Sequence, residues 1–99
     1  MLDKARDLYK LQKQARAIQK ELKDTEVEAS GADGEVTVVF NGEIHLVDIK
    51  IGESMLETGK KRELEAALKK TISEAISRAQ GIAAEKAKDL MGGFKLPGM

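Results

Sequence analysis

Glu35-Val36-Thr37-Val38-Val39-Phe40-Asn41-Gly42-Glu43-Ile44-His45-Leu46-Val47-Asp48-Ile49-Lys50-Ile51 is the stretch on which the fold turns. Two runs rich in β-branched residues, 35–40 and 44–51, flank Asn41-Gly42. That dipeptide favours a type I′ turn, because both central residues must take positive φ, so the stretch is expected to be a hairpin. A two-residue turn sets Phe40 opposite Glu43, Val38 opposite His45 and Val36 opposite Val47. This face continues through Ile49 and Ile51 and is the expected core face. The reverse face then holds Val39 opposite Ile44 and Thr37 opposite Leu46, which is apolar for a surface. Such a sheet calls for a second layer from another subunit. Upstream, Thr25-Glu26-Val27-Glu28-Ala29-Ser30 alternates and reads as a short strand, 25–30. Gly31-Ala32-Asp33-Gly34 is a loop on composition.

A helix stands on each side of these strands. Residues 2–24 place Leu8, Leu11, Ala15, Ile18 and Leu22 at alternating spacings of three and four. This is the narrow seam of a coiled coil, two positions in seven, rather than the wider stripe of a helix lying on its own core. Ser54-Met55-Leu56-Glu57 has capping-box spacing, with Ser54 as N-cap and Glu57 reaching back. From 60 to 91, Leu64, Leu68, Ile72, Ala75, Ile76, Ala79, Ile82, Ala83 and Leu90 share one side of a second helix. Gly92-Gly93 stops it, and 94–99 is expected to be a loose tail. Gly81, inside the helix, marks either a bend or a close packing contact.

The expected fold is therefore one α+β domain of order α-β-β-β-α, a small antiparallel sheet carrying two long projecting helices. At about 1.5 Å per residue the helices are about 34 Å and 48 Å long. A compact globule of this size has a radius of gyration of only about 13 Å. Both helices must overhang a sheet of six- to eight-residue strands, which points to a homodimer with projecting arms. Leu8, Leu11, Ile18, Leu22, Val39, Ile44 and Leu46 are the candidate dimer and arm-packing residues.

Composition narrows the function. Phe40, Phe94 and Tyr9 are the only aromatic residues and Cys is absent, so the core is thin and aliphatic, with no disulfide or thiolate metal site. MLDKARDLYK has no apolar signal core, and no apolar run approaches about 18 residues, so an intracellular, soluble protein without a membrane span is expected. His45 is the sole histidine, beside Val47 in a strand, and is expected as a half-buried structural imidazole. With no cysteine nucleophile and no histidine pair, neither catalysis nor a metal or cofactor site is expected, nor a small-molecule substrate. Ser30-Gly31-Ala32-Asp33-Gly34 lacks the length and lysine of a phosphate loop.

Net charge is zero, yet its distribution is uneven. Residues 1–24 hold seven Lys/Arg against four acids, residues 25–59 hold Lys50 alone against eight acids, and residues 60–99 hold nine Lys/Arg against five acids. Basic ends around an acidic middle indicate an anionic partner better than the total does. With Leu8, Ala15 and Leu22 at heptad position a, Arg6, Lys13 and Lys20 fall at f, while Tyr9, Arg16 and Lys23 fall beside them at b. Lys10 completes this ladder. A solvated coiled-coil exterior also favours Lys and Arg at b and f, but an ordinary exterior mixes signs and this one lacks matching acids. On the second helix, Lys60, Lys61 and Arg62 cluster where cations oppose the helix dipole. Lys69, Lys70 and Arg78 follow. A helical adaptor that binds a protein through its arms is the alternative these residues leave open.

Leu11-Gln12-Lys13-Gln14-Ala15 through Glu21-Leu22, then Thr25-Glu26-Val27-Glu28-Ala29-Ser30-Gly31, Gly34-Glu35-Val36-Thr37-Val38, Asn41-Gly42 and Val47-Asp48-Ile49-Lys50-Ile51, together resemble the YbaB/EbfC family of bacterial nucleoid-associated proteins. The resemblance covers nearly the whole chain, and it lies in order and spacing rather than in one motif. It implies a small homodimer in the cytoplasm and nucleoid, with α-β-β-β-α subunits whose helices project like tweezers. It implies binding of double-stranded DNA with little sequence preference. The anion is then duplex phosphate, held by Arg6, Lys10, Lys13, Arg16, Lys20 and Lys23 with Lys60, Lys61, Arg62, Lys69, Lys70 and Arg78.

Overall fold

In the computed structural model, which describes residues 2–92, helix α1 (Leu2–Asp24) leads into strands β1 (Glu26–Gly31), β2 (Val36–Asn41) and β3 (Leu46–Ile51), and helix α2 (Lys61–Gly92) follows. Short 3₁₀ segments at Ala32–Gly34 and Glu53–Leu56 join β1 to β2 and β3 to α2. The sheet is an antiparallel meander in the order β1-β2-β3. This is the α-β-β-β-α order that the hydrophobic periods predict. No described helix is long and apolar enough to cross a membrane.

The core is one face of the sheet under one stripe of α2. Val36, Val38 and Phe40 of β2, Ala29 of β1, Ala75 and Ala79 of α2, and Met55 of the second 3₁₀ segment are buried together. Leu64, Ala67, Leu68, Ile72 and Ile76 of α2 pack against them, following the three-and-four spacing that aligns one helix face. Thr71 is buried in the same stripe. A side chain on Gly31 of β1 would overlap its hydroxyl, so glycine lets strand and helix approach closely.

The hairpin departs from the expected one. Val36 pairs with Ile51, Thr37 with Lys50, Val38 with Ile49, Val39 with Asp48 and Phe40 with Leu46. The partner step from Asp48 to Leu46 leaves Val47 as the extra residue of a β-bulge. The turn is longer than two residues. Asn41 Oδ1 accepts hydrogen bonds from the backbone N–H groups of Glu43 (2.9 Å) and His45 (3.1 Å), while the Asn41 N–H donates to the His45 carbonyl at 3.0 Å. Positive φ falls on Ile44 (64°), not on Gly42, so the type I′ expectation is wrong. Glycine is needed at 42 for another reason: its N–H donates to the Leu22 carbonyl at 2.8 Å, and a Cβ there would lie 2.8 Å from both that oxygen and Leu22 Cδ2.

The shifted register redistributes the apolar residues. On the reverse face, Glu28, Val39 and Asp48 form one row across the sheet and Ser30, Thr37 and Lys50 another, with the Ser30 and Thr37 hydroxyl oxygens 3.3 Å apart. That face is polar, and Val39 is isolated on it, so the expectation of two apolar faces fails. Leu46 and Ile49 share the core face with Phe40 and Val38, because directly opposed residues point the same way. Even so, Leu46, Val47 (49%) and Ile49 remain exposed, because α2 lies across β1 and β2 and leaves β3 largely uncovered. His45 is exposed rather than half-buried. Ser54 caps nothing: the 3₁₀ segment starts at Glu53 after Gly52 and has no side-chain cap.

Two glycines give opposite expectations for stability. Gly42→Ala introduces overlap with backbone and should cost about 1–3 kcal/mol. Gly81 lies inside α2 with no atom within 4 Å of an added Cβ, so no packing contact requires it. Gly81→Ala should therefore stabilise by about 0.5–1 kcal/mol. Denaturant melts of both variants test the pair, and shifts of the same sign would contradict these roles.

Candidate nucleic-acid interface

The interface is built on how α1 is held. Its C-terminal turn is fixed by the hairpin: the Leu22 carbonyl accepts from the Gly42 N–H, and the Thr25 hydroxyl donates to the Glu21 carbonyl at 2.6 Å. These bonds satisfy carbonyls that a helix end leaves without intrahelical partners. Beside them, Lys86 Nζ of α2 donates to Glu21 Oε1 at 2.5 Å. The hydrogen bond and charge of Glu21 hold the Lys86 ammonium above its ordinary pKa. On the Lys86 side, the contribution of this ion pair is therefore present below the usual lysine range and is lost as pH rises through the elevated value. Ile18 and Leu22 are half-buried, whereas every described side chain from Lys4 to Ala17 is exposed, including the seam residue Leu8 at 67%.

The rest of α1 is thus an arm. The molecule extends over 68 × 25 × 15 Å with a radius of gyration of 19.3 Å. Its long axis exceeds the about 48 Å of a 32-residue helix, and an arm continuing past α2 accounts for the difference. Arg6, Lys10, Lys13, Arg16, Lys20 and Lys23 are all exposed on α1. Among the described residues, none of the six takes part in an ion pair. Residues seven apart stand about 10.5 Å apart along the axis, so the arm carries a regular ladder of positive charge.

The second group of cations is distributed differently. Lys61, Arg62, Lys69 and Lys70 are exposed on α2. Lys60 is partly covered and pairs with Glu63 at 3.1 Å. Arg78 Nη1 donates to the Glu28 carbonyl at 2.5 Å, so its guanidinium ties α2 to the outer edge of β1. Arg62 and Lys86 are 24 residues apart on one helix, about 36 Å, and Lys86 marks where α1 docks. The fold therefore does not gather the two groups: the α1 ladder and the start of α2 lie toward opposite ends. The gap is several times the about 8–10 Å screening length of physiological salt, so the two groups do not form one electrostatic surface. Sequence reasoning missed Lys86 as the residue that secures the arm. Its signal was Glu21 at heptad position g, where a packed neighbouring helix supplies the opposite charge.

Residues 1–94 match the model of the YbaB/EbfC DNA-binding family. The chain is 33% identical over 90 residues to a nucleoid-associated protein of Clostridium kluyveri, covering 91% of this chain and 79% of that one. It is 34% identical over 88 residues to a nucleoid-associated protein of Roseiflexus sp., covering 89% and 87%. Among solved structures, the crystal structure of uncharacterized protein HP0035 from Helicobacter pylori superposes with a TM-score of 0.78 at 25% identity, covering 85% of this chain and 88% of that one.

If Lys86 secures the arm, Lys86→Gln should speed amide hydrogen exchange in the last two turns of α1 while leaving exchange in β2 unchanged. Equal protection of α1 in both proteins would show that the Gly42 contact alone holds the helix.

Proposed function

This chain belongs to the YbaB/EbfC DNA-binding family, and from that premise we propose that it is a nucleoid-associated protein whose homodimer binds duplex DNA through α1, with little sequence preference. The observation that carries this reading is the unbalanced, exposed ladder of six cations on a helix that projects from an acidic sheet segment. Lys and Arg at such spacing neutralise backbone phosphates, which positions a protein on DNA without reading bases. The acids of residues 25–59 repel a duplex from the sheet and confine it to the arms. Lys60, Lys61, Arg62, Lys69 and Lys70 supply a weaker second zone, and Arg78 contributes through its position on the β1 edge more than through contact. No step of this reading is catalytic.

The dimer is proposed on β3. Its Leu46 and Ile49 are exposed on the side of the sheet that forms the core, with the bulge residue Val47 exposed between them, and its outer edge has unpaired backbone groups, whereas Arg78 occupies the outer edge of β1. Exposed edges beside apolar strips pair with another chain unless they are blocked. Of the expected dimer residues, this retains Leu46 and drops Val39 and Ile44, one isolated on the polar face and the other in the turn. Leu8 and Leu11 remain bare on the arm. That exposure favours a second reading, an adaptor whose seam takes a protein helix. A stoichiometric protein partner resistant to nuclease would support the adaptor.

About six phosphate contacts should give a slope near −5 for log K against log salt in a mobility-shift titration. Binding indifferent to salt, or absent at low salt, contradicts the reading. Replacing Lys13, Arg16 and Lys20 together by Glu should abolish binding with the dimer intact. Conversely, Val47→Glu should halve the mass measured in solution, and an unchanged mass would exclude β3 as the interface.

A further inference from the structure

Tyr9 has no role in the core, the seam or the phosphate ladder. It is the only tyrosine in a chain without tryptophan. Its heptad position is b, off the apolar seam, and it is 68% exposed. With Gln12, Lys13 and Arg16 it lines a surface hollow of about 240 Å³. Arg6 lies one turn before it, Lys13 one turn after and Arg16 two turns after, so a flat aromatic face is set among cations already assigned to phosphate.

A duplex cannot use that face well, because its bases are stacked on one another. A single strand can, since an unpaired base exposes a π surface and carries phosphates on both sides. Aromatic platforms combined with cations that track the backbone are the general means of holding single strands without reading sequence. We propose that Tyr9 is a base-stacking position, and that the α1 face binds single-stranded DNA by stacking one base on the Tyr9 ring while Lys13 and Arg16 hold the adjoining phosphates. Gln12 borders the same hollow and can hydrogen-bond to the edge of the stacked base. The proposal rests on the reading of α1 as a phosphate-binding helix and adds the class of nucleic acid that its one aromatic residue recognises.

The test uses the full chain and three probes: an oligothymidylate covering one site, up to about 16 nucleotides, an abasic strand of the same length, and a duplex. With excitation in the tyrosine band, where Phe40 and Phe94 barely absorb, emission comes from Tyr9, so quenching reports this ring alone. Oligothymidylate should quench it and the abasic strand should not, although both carry the same phosphates. Tyr9→Ala should weaken oligothymidylate binding about 5- to 100-fold and leave duplex affinity unchanged, while Tyr9→Phe retains single-strand binding. Position 9 is exposed, and an unchanged melting temperature confirms that the variants fold. Equal quenching by the abasic strand, or full oligothymidylate affinity in Tyr9→Ala with normal duplex binding, overturns the stacking proposal alone. Wild-type protein that binds none of the probes overturns the phosphate reading of α1 and this proposal together.

Discussion

A helix with its side chains is about 10–12 Å wide, and neighbouring strands are about 4.8 Å apart, so a single helix covers about two strands of a sheet. This chain has three strands and one helix on their apolar face. α2 lies over β1 and β2, which buries Val36, Val38, Phe40 and Ala29 and leaves Leu46, Val47 and Ile49 of β3 bare. The small residues Ala75, Ala79 and Gly31 bring helix and sheet close, and the closeness that makes so thin a core dense also prevents α2 from reaching further across. The bare third strand, the proposal that a second copy covers it, and the freedom of both helices to overhang follow from that limit.

α1 meets the sheet at its hairpin end rather than lying over it. It is fastened at its last two turns by the Gly42–Leu22 hydrogen bond and the Glu21–Lys86 ion pair, and the rest stands in solvent. A helix attached this way gains nothing from a wide apolar stripe, which explains why its sequence has only a narrow seam and can devote the remaining surface to charge. Distance does the electrostatic work. Cations near an acidic sheet would be neutralised in part, but beyond one or two screening lengths they keep their full effect on a polyanion. A protein of zero net charge can therefore present a strongly positive surface.

Much of this was legible in the sequence. Element order, the two helices and the core face of β2 follow from the 3.6- and 2-residue periods, which reflect burial directly. Register was not legible, because Asn41-Gly42 has two uses. Asn-Gly ordinarily supplies positive φ for a tight turn, but here Asn41 bonds to the loop through its side chain and Gly42 makes room for Leu22, a contact about twenty residues away in sequence. A four-residue shift in pairing followed, and it set Val39 opposite Asp48 instead of Ile44 and exposed His45. The ladder on α1 was visible as heptad positions. Its separation from Lys61 and Arg62, and the diversion of Arg78 to the Glu28 carbonyl, depend on tertiary placement that linear charge counts do not contain. Family resemblance supplied DNA as the partner, and the fold leaves the α1 ladder exposed and outside any ion pair among the described residues.

The central claim, that α1 is the surface that meets DNA, is tested most directly by backbone amide NMR during titration with a short duplex at low salt. Binding through the arm predicts shifts concentrated between Arg6 and Lys23, graded toward the arm's free end and reversed by added salt, with the reverse face of the sheet at Glu28, Val39 and Asp48 unmoved. Shifts centred on that acidic face, or a spectrum unchanged along α1 under conditions where the complex forms, would contradict it.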